Sequence, residues 1–388
     1  MALFHHDHRN YDEAASEAAK RARKHLEEQI EAGKAKALAV IDKVIDETPK
    51  DKIVRVDRLE FDAKPNGQQV AVYEGRKPRT IEGADLVINP AENGWERLHR
   101  NALGQMAERA GIPMSYISTL ENQGLWGKKL IAENLRQLFD HKADEKYLLR
   151  SVHNEVRGFL SNKYRRLNTQ QLIETATKAF RELGLVPVDG IGTDTRIRIR
   201  ALLPVIFEPV PGEIICYGLD WGQSDFGNGA HVASAFMDRL WCTNTGVMHS
   251  QLREVHLGTR LSEDIAWSDR TYKLDSDRSA SMLEDMIKGA LSPAKVEEMN
   301  ALIVQADAEK VESRDVDAYL KKNLTKGLAE KVSEAFRSND VEMLPPGNTK
   351  WRLSNALSWI AQKVEDKEQT LDLQRLAGQV VEGLQKAA

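Results

Sequence analysis

Three observations predict an α+β fold: a central, mainly antiparallel sheet with packed helices, flanked by a helical N-terminal segment and a helical C-terminal region. Residues 1–50 are rich in Ala, Glu and Lys, which favour helix. Residues 51–261 alternate apolar and polar positions between Gly and Asn breaks, with helical stretches inside them up to about His141 and from about Asn168 to Gly184. Residues 262–388 read almost wholly as helices, interrupted once at Pro345-Pro346-Gly347. These three segments are the expected domains.

Taken in order, the stretch from Asp12 to about Glu47 predicts one helix, or two broken near Gly33. Its Leu38, Ile41, Val44 and Ile45 stripe would pack on its own domain or on another subunit. Residues 52–83 alternate like strands, and Pro65-Asn66-Gly67 is placed as the turn of a hairpin. Helical pattern then runs to about His141. "YLLRSVHNEVRGFLS" reads as strand, turn and strand. The helix after it can be capped by Asn168 or Thr169 and ended by Gly184. Four further β-rich stretches follow, beginning with "DTRIRIRALLPVIF".

With 388 residues, 41% hydrophobic and 29% charged, the chain has material for a sizeable core and for two domains rather than one. No apolar run is long enough to span a bilayer, and the N-terminus lacks the basic-then-apolar order of a secretion signal, so the expected location is the cytoplasm. Cys216 and Cys242 are too few for a disulfide framework and lack metal-ligand spacing; both are expected to be reduced and buried. The net charge of −4 hides an uneven distribution. Between Lys146 and Arg200 eleven basic residues face five acidic ones, so this segment carries +6 and the remainder −10.

"ALGQMAERAGIPMSYISTLENQ", Ala102 to Gln123, has the outline of a helix-turn-helix. The start of its second helix offers Met114, Ser115, Tyr116 and Thr119, with no Arg or Asn to read base edges, so a packed helical pair is expected. The basic segment is the stronger candidate. In a strand Arg196, Arg198 and Arg200 share one face while Ile197, Ile199 and Ala201 take the other, and alternate residues lie roughly 6.6–6.8 Å apart, a spacing that suits a phosphate backbone. Arg157, Lys163, Arg165 and Arg166 extend the charge, with Tyr164 interleaved as a stacking platform. The competing reading is a strand face paired with acids from elsewhere in the chain.

Other candidates are weaker. His5, His6 and His8 lack a distant partner for a metal. Cys242 has His231, His249 and His256 within reach in sequence but no nucleophile signature. Gly227 and Gly229 form no phosphate loop, and the carboxylates Asp315/Asp317 and Glu365/Asp366/Glu368 read as solvated surface. No catalytic residue, cofactor site or metal site is expected.

At "LLRSVHNEVRGFLSNKYRRLNTQQL" the chain resembles a family of phage and plasmid proteins known as domain of unknown function 932. The likeness continues through Ser224-Asp225-Phe226-Gly227 and Arg239 to Cys242-Thr243-Asn244-Thr245-Gly246, where one residue separates Asn from Gly, a departure from the family's Asn-Gly. It ends with the Trp351 and Asn355-Ala356 helix, includes Gly111-Ile112-Pro113-Met114-Ser115-Tyr116, and covers roughly Lys52 to Val364. The resemblance implies a phage or mobile-element origin and says little about activity. By analogy of fold, ring-forming annealing proteins also carry a basic groove on a sheet. The expected function is single-stranded DNA binding by a homo-oligomer, non-enzymatic and off the membrane, acting in recombination or replication. The alternative is a structural or interaction protein that docks a partner through the C-terminal helices.

Overall fold

The computed structural model describes residues 17–74, 77–90, 94–240, 244–254, 268–338, 344–365 and 367–382. Helix α1 spans Glu17–Asp46. The first sheet contains β1 (Lys50–Arg55), β2 (Leu59–Glu74), β3 (Lys77–Pro90), β4 (Glu96–Leu98), β5 (Lys146–Val152) and β6 (Glu155–Ser161), in the order β1-β5-β6-β4-β3-β2. Among the described residues of this sheet, only the β4–β6 pair is parallel. Helices α2 (Arg100–Ala110), α3 (Met114–Glu121) and α4 (Gly124–Asp140) cover one face of it.

After α5 (Thr169–Leu183) comes the second sheet, of β7 (Val186–Gly192), β8 (Ile197–Leu202), β9 (Phe207–Val210), β10 (Glu213–Gln223), β11 (His231–Arg239) and β12 (Asn244–Glu254). Its order is β12-β11-β10-β8-β7, with β9 beside β10, all antiparallel. The α+β class with mainly antiparallel pairing is as the sequence predicts, but the strands divide between two sheets with separate apolar cores.

The C-terminal helices are α6 (Asp269–Ala290), α7 (Pro293–Ala308), α8 (Ser313–Asn323), α9 (Lys326–Arg337), α10 (Lys350–Ala361) and α11 (Lys367–Glu382). They do not act as one body. Leu283, Ile287, Val296 and Ile303 of α6 and α7 join Ile199, Leu219 and Trp221 in the core of the second sheet, whereas α8–α11 close around Leu320, Phe336, Leu357 and Leu373.

Two sequence expectations need correction. Gly33 breaks nothing: α1 is continuous, and a Cβ at Gly33 would overlap the Val188 carbonyl of β7, while one at Gly190 would lie 2.8 Å from the Ala37 Cα. Glycine here permits close approach of helix to strand. The packed stripe is therefore Ala22, Leu26, Ala37, Val40 and Val44, and Leu38 and Ile45, expected to pack, are exposed. Pro65-Asn66-Gly67 is likewise no hairpin turn. It is a bulge inside β2, where four steps from Pro65 to Gln69 match two from Ala84 to Glu82. Gly67 takes φ 73°, Asn66 Nδ2 donates to Asp85 at 3.0 Å, and the Gln68 amide donates back to Asn66 Oδ1 at 3.1 Å.

Candidate functional site

The basic stripe forms with the predicted alternation for Arg198 and Arg200, while Arg196, expected on the same strand, precedes β8. Ile197, Ile199 and Ala201 are buried in the core of the second sheet, which turns Arg198 and Arg200 to the other face. That face is not open. It continues into Leu202, Cys216 and Phe236, which pack with Ala22 and Leu26 of α1. Asp220 lies directly across from Arg200 in the β8–β10 register. Both guanidinium nitrogens of Arg198 that face it hydrogen-bond to Asp220, the Nε at 2.6 Å, and Arg200 reaches the same carboxylate at 3.5 Å while lying over the Phe236 ring. Burial pushes the Asp220 carboxyl up, but the hydrogen bonds from Arg198 and the charge of Arg200 outweigh it and hold the group below its ordinary range. Of the eight residues proposed to bind nucleic acid, Arg196 alone is exposed.

The remaining five sit at the junction of the two sheets. Tyr164, expected to stack on bases, is buried against Leu148 and Leu160, and burial pushes its hydroxyl pKa up. Arg157 is 6% exposed and donates to Glu47 at 2.7 Å, Glu155 at 3.0 Å and the Asp194 carbonyl at 3.1 Å, so it ties β6 to α1 and to the turn before β8. Arg165 makes a two-pronged contact with Asp275 of α6 and donates to Ser279 at 2.6 Å. Arg166 lies 3.6 Å from Asp51 and stacks over Tyr272. Lys163 is half-buried in the same turn. The local excess of positive charge is thus matched by acids at distant positions in sequence: Glu47, Asp51, Asp220 and Asp275.

At the centre of the junction is Arg150, completely buried in β5. Its Nε donates to Asp51 of β1, the residue opposite it in register, at 2.7 Å. One terminal nitrogen donates to the Asp225 carbonyl at 2.8 Å and the other to Asn168 Oδ1 at 2.7 Å. Because Asn168 is drawn to Arg150, its side chain does not cap α5. The carboxylate of Asp225 does so instead, accepting from the Thr169 amide at 3.0 Å, next to the positive end of the helix dipole. Burial pushes the Asp225 carboxyl above its ordinary range despite Arg150 and Thr169.

The loop that supplies Asp225 is a keystone for both halves. Ser224 is buried and donates to the Thr195 carbonyl at 2.8 Å, and Gly227 takes φ 75°. The Phe226 carbonyl accepts from Asn101 and Gln105 of α2, and Gln105 Oε1 takes the Phe159 amide at 2.7 Å. Gln105 of the helix-turn-helix-like stretch therefore points inward, and Ala102, Leu103, Met106, Ile117 and Leu120 fill the core of the first sheet. Neither Arg150 nor Gln105 is marked out by sequence pattern as a functional residue; the one available signal is a lone arginine between apolar residues in "YLLRSV".

A second polar lock fastens the C-terminal helices. Arg239 forms a two-pronged buried ion pair with Glu213, and Trp351 Nε1 donates to the same carboxylate at 2.9 Å. Ser224, Arg239 and Trp351 thus sit in structural contacts. Nearby Arg352 is buried with its three guanidinium nitrogens on the carbonyls of Phe336, Pro345 and Ser338.

The crevice lined by Lys43, Thr193, Arg196 and Asp225 has a volume of about 30 Å³, room for roughly one water molecule. Among the described residues no three His, Cys, Asp or Glu side chains gather as a metal set, and no helix is long and apolar enough to cross a membrane. Cys216 is buried, which raises its thiol pKa well above the ordinary value. His5, His6, His8, Cys242, His256 and Asp366 lie outside the described residues. His231 is buried in β11. Asp317, expected to be solvated surface, accepts from Ser333 and Arg337. No family model, curated protein or solved structure matches this chain.

Proposed function

We propose that this chain is a non-enzymatic interaction protein that docks a protein partner through its C-terminal helical region. The observation that carries this reading is a groove of about 820 Å³ lined by α8 and α9. Leu320 and Ala329 lie in its buried lining, and Lys321, Glu330 and Arg337 supply an exposed, charged rim. Partly exposed Leu324 gives the groove an apolar wall within a mixed-charge rim, which suits a helix of a partner anchored by its apolar face. The internal pairing of the arginines supports the same reading, since each neutralised guanidinium is withdrawn from the phosphate contacts on which nucleic-acid affinity rests. The test is affinity capture with the full chain and with a Lys321→Glu, Glu330→Lys variant. A partner held by the first and lost by the second is expected; equal capture by both would overturn the assignment.

Single-stranded DNA binding by a phage-derived homo-oligomer in the host cytoplasm is the second reading. The exposed Arg196, which lines the small crevice, favours it. It predicts that a fluorescent oligonucleotide binds at low salt, dissociates as salt rises, and binds less well to Arg196→Ala.

A further inference from the structure

The chain carries three Asn-Gly pairs, at Asn66, Asn93 and Asn228. In such a pair no side chain shields the asparagine Cγ from the next backbone nitrogen, and the surrounding fold decides how readily the two meet. Asn93 lies outside the described residues. The other two are held very differently.

Asn66 sits in the β2 bulge. The register steps from Pro65 opposite Ala84 to Gln69 opposite Glu82, so Asn66, Gly67 and Gln68 lie outside the ladder that would otherwise fix their backbone. Gly67 is exposed, and nothing comes within 4 Å of the place a Cβ would take. The Asn66 amide makes two hydrogen bonds, accepting from the Gln68 amide and donating to Asp85. The first folds the side chain back along its own backbone and polarises the carbonyl. Asn228 instead bridges the loop that supplies Asp225. In the orientation that satisfies both its polar atoms it makes four hydrogen bonds, two with Thr195 and one each with Ser224 and Arg196. Thr195 and Ser224 are themselves buried.

We propose that Asn66 is a site of spontaneous deamidation, a one-way modification that unlocks the β2 bulge. Hydroxide takes the Gly67 amide proton, and the nitrogen forms a bond to Asn66 Cγ as the carbonyl π pair moves to Oδ1. That pair returns, the Cγ–Nδ2 bond breaks and, with a proton from water, ammonia leaves. Water then opens the five-membered imide at either carbonyl, giving aspartate or isoaspartate at position 66. Both products lose the donor that Asp85 accepts from at 3.0 Å and gain a negative charge close to it, so an attraction becomes a repulsion.

The inference goes beyond the partner groove on α8 and α9 and does not depend on it. The purified full chain is kept in heavy-oxygen water at mildly alkaline pH and body temperature, and each peptide is followed by mass spectrometry for conversion of amide to acid. Asn66 is expected to convert at least about tenfold faster than Asn228, whose two further hydrogen bonds must first break. The two rates converge when the chain is unfolded in urea, because the fold is what separates them. Amides of β2 and β3 exchange hydrogen faster in Asn66→Asp than in the wild type. An Asn66 that persists in the folded chain, an Asn228 that converts as fast, a difference that survives in urea, or unchanged exchange in Asn66→Asp would each overturn the proposal.

Discussion

The junction between the sheets and the outer face of α4 are opposites in composition and in exposure. The junction gathers Arg150, Arg157, Arg165 and Arg166 with their carboxylates and buries them wholly or in part, while α4 holds Trp126 and Leu130 out in water. Residue type alone would assign the first to binding and the second to the core. Partner geometry sets the first in internal ion pairs and leaves the second exposed. Buried charge is tolerated only with a complete set of partners, and Arg150 has three. Exposed apolar area is tolerated until a partner covers it.

The comparison breaks most severely if Arg150 is truncated. Arg150→Ala leaves Asp225 without its nearby cation, strips Asp51 of its closest one and releases the Asn168 side chain; removing one partner of a buried ion pair costs about 3–5 kcal/mol, read as a lower urea midpoint. Glu213→Ala should fall in the same range because it removes the carboxylate paired with the buried Arg239 and the acceptor of the Trp351 indole. Gly33→Ala comes next. Helix propensity alone would favour alanine by up to about 1 kcal/mol, so a net loss on the order of 1–3 kcal/mol, measured the same way, would show that the approach of α1 to β7 decides the sign.

The acid limb of stability sharpens the contrast further. Asp220 is held below its ordinary value of about 3.9, so its contribution is complete above that pH and is lost as pH falls through the lowered folded value. Asp225 has the opposite sign: its raised carboxyl favours the folded state more as pH falls. Asp220→Asn should therefore flatten the loss of melting temperature below about pH 4, while leaving the drift above it unchanged. The smallest effect belongs to Arg196→Ala, an exposed substitution expected to change stability by no more than about 0.5 kcal/mol.

The helices of the C-terminal region and the alternation of "TRIRIRALL" were legible because each depends on the period of a short segment. What lay beyond reach was register. Nothing local says that Asp220 stands opposite Arg200, or Asp51 opposite Arg150, since these pairings join residues 20 and 99 positions apart. The small residues misled for a related reason. Gly33 and the Pro65-Asn66-Gly67 run have the composition of breaks, and only the neighbouring strand reveals one as a close contact and the other as a bulge. Asn168 shows the same limit: a sound capping residue was diverted by an arginine of the first sheet.

The central claim is that the basic residues of this chain hold its halves together. A double-mutant cycle on Arg157 of the first sheet and Glu47, at the end of the helix that packs on the second, read by urea unfolding of the wild type, Arg157→Met, Glu47→Gln and the double variant, tests it most directly. The account predicts a favourable coupling of at least about 1 kcal/mol. Coupling indistinguishable from zero would contradict it.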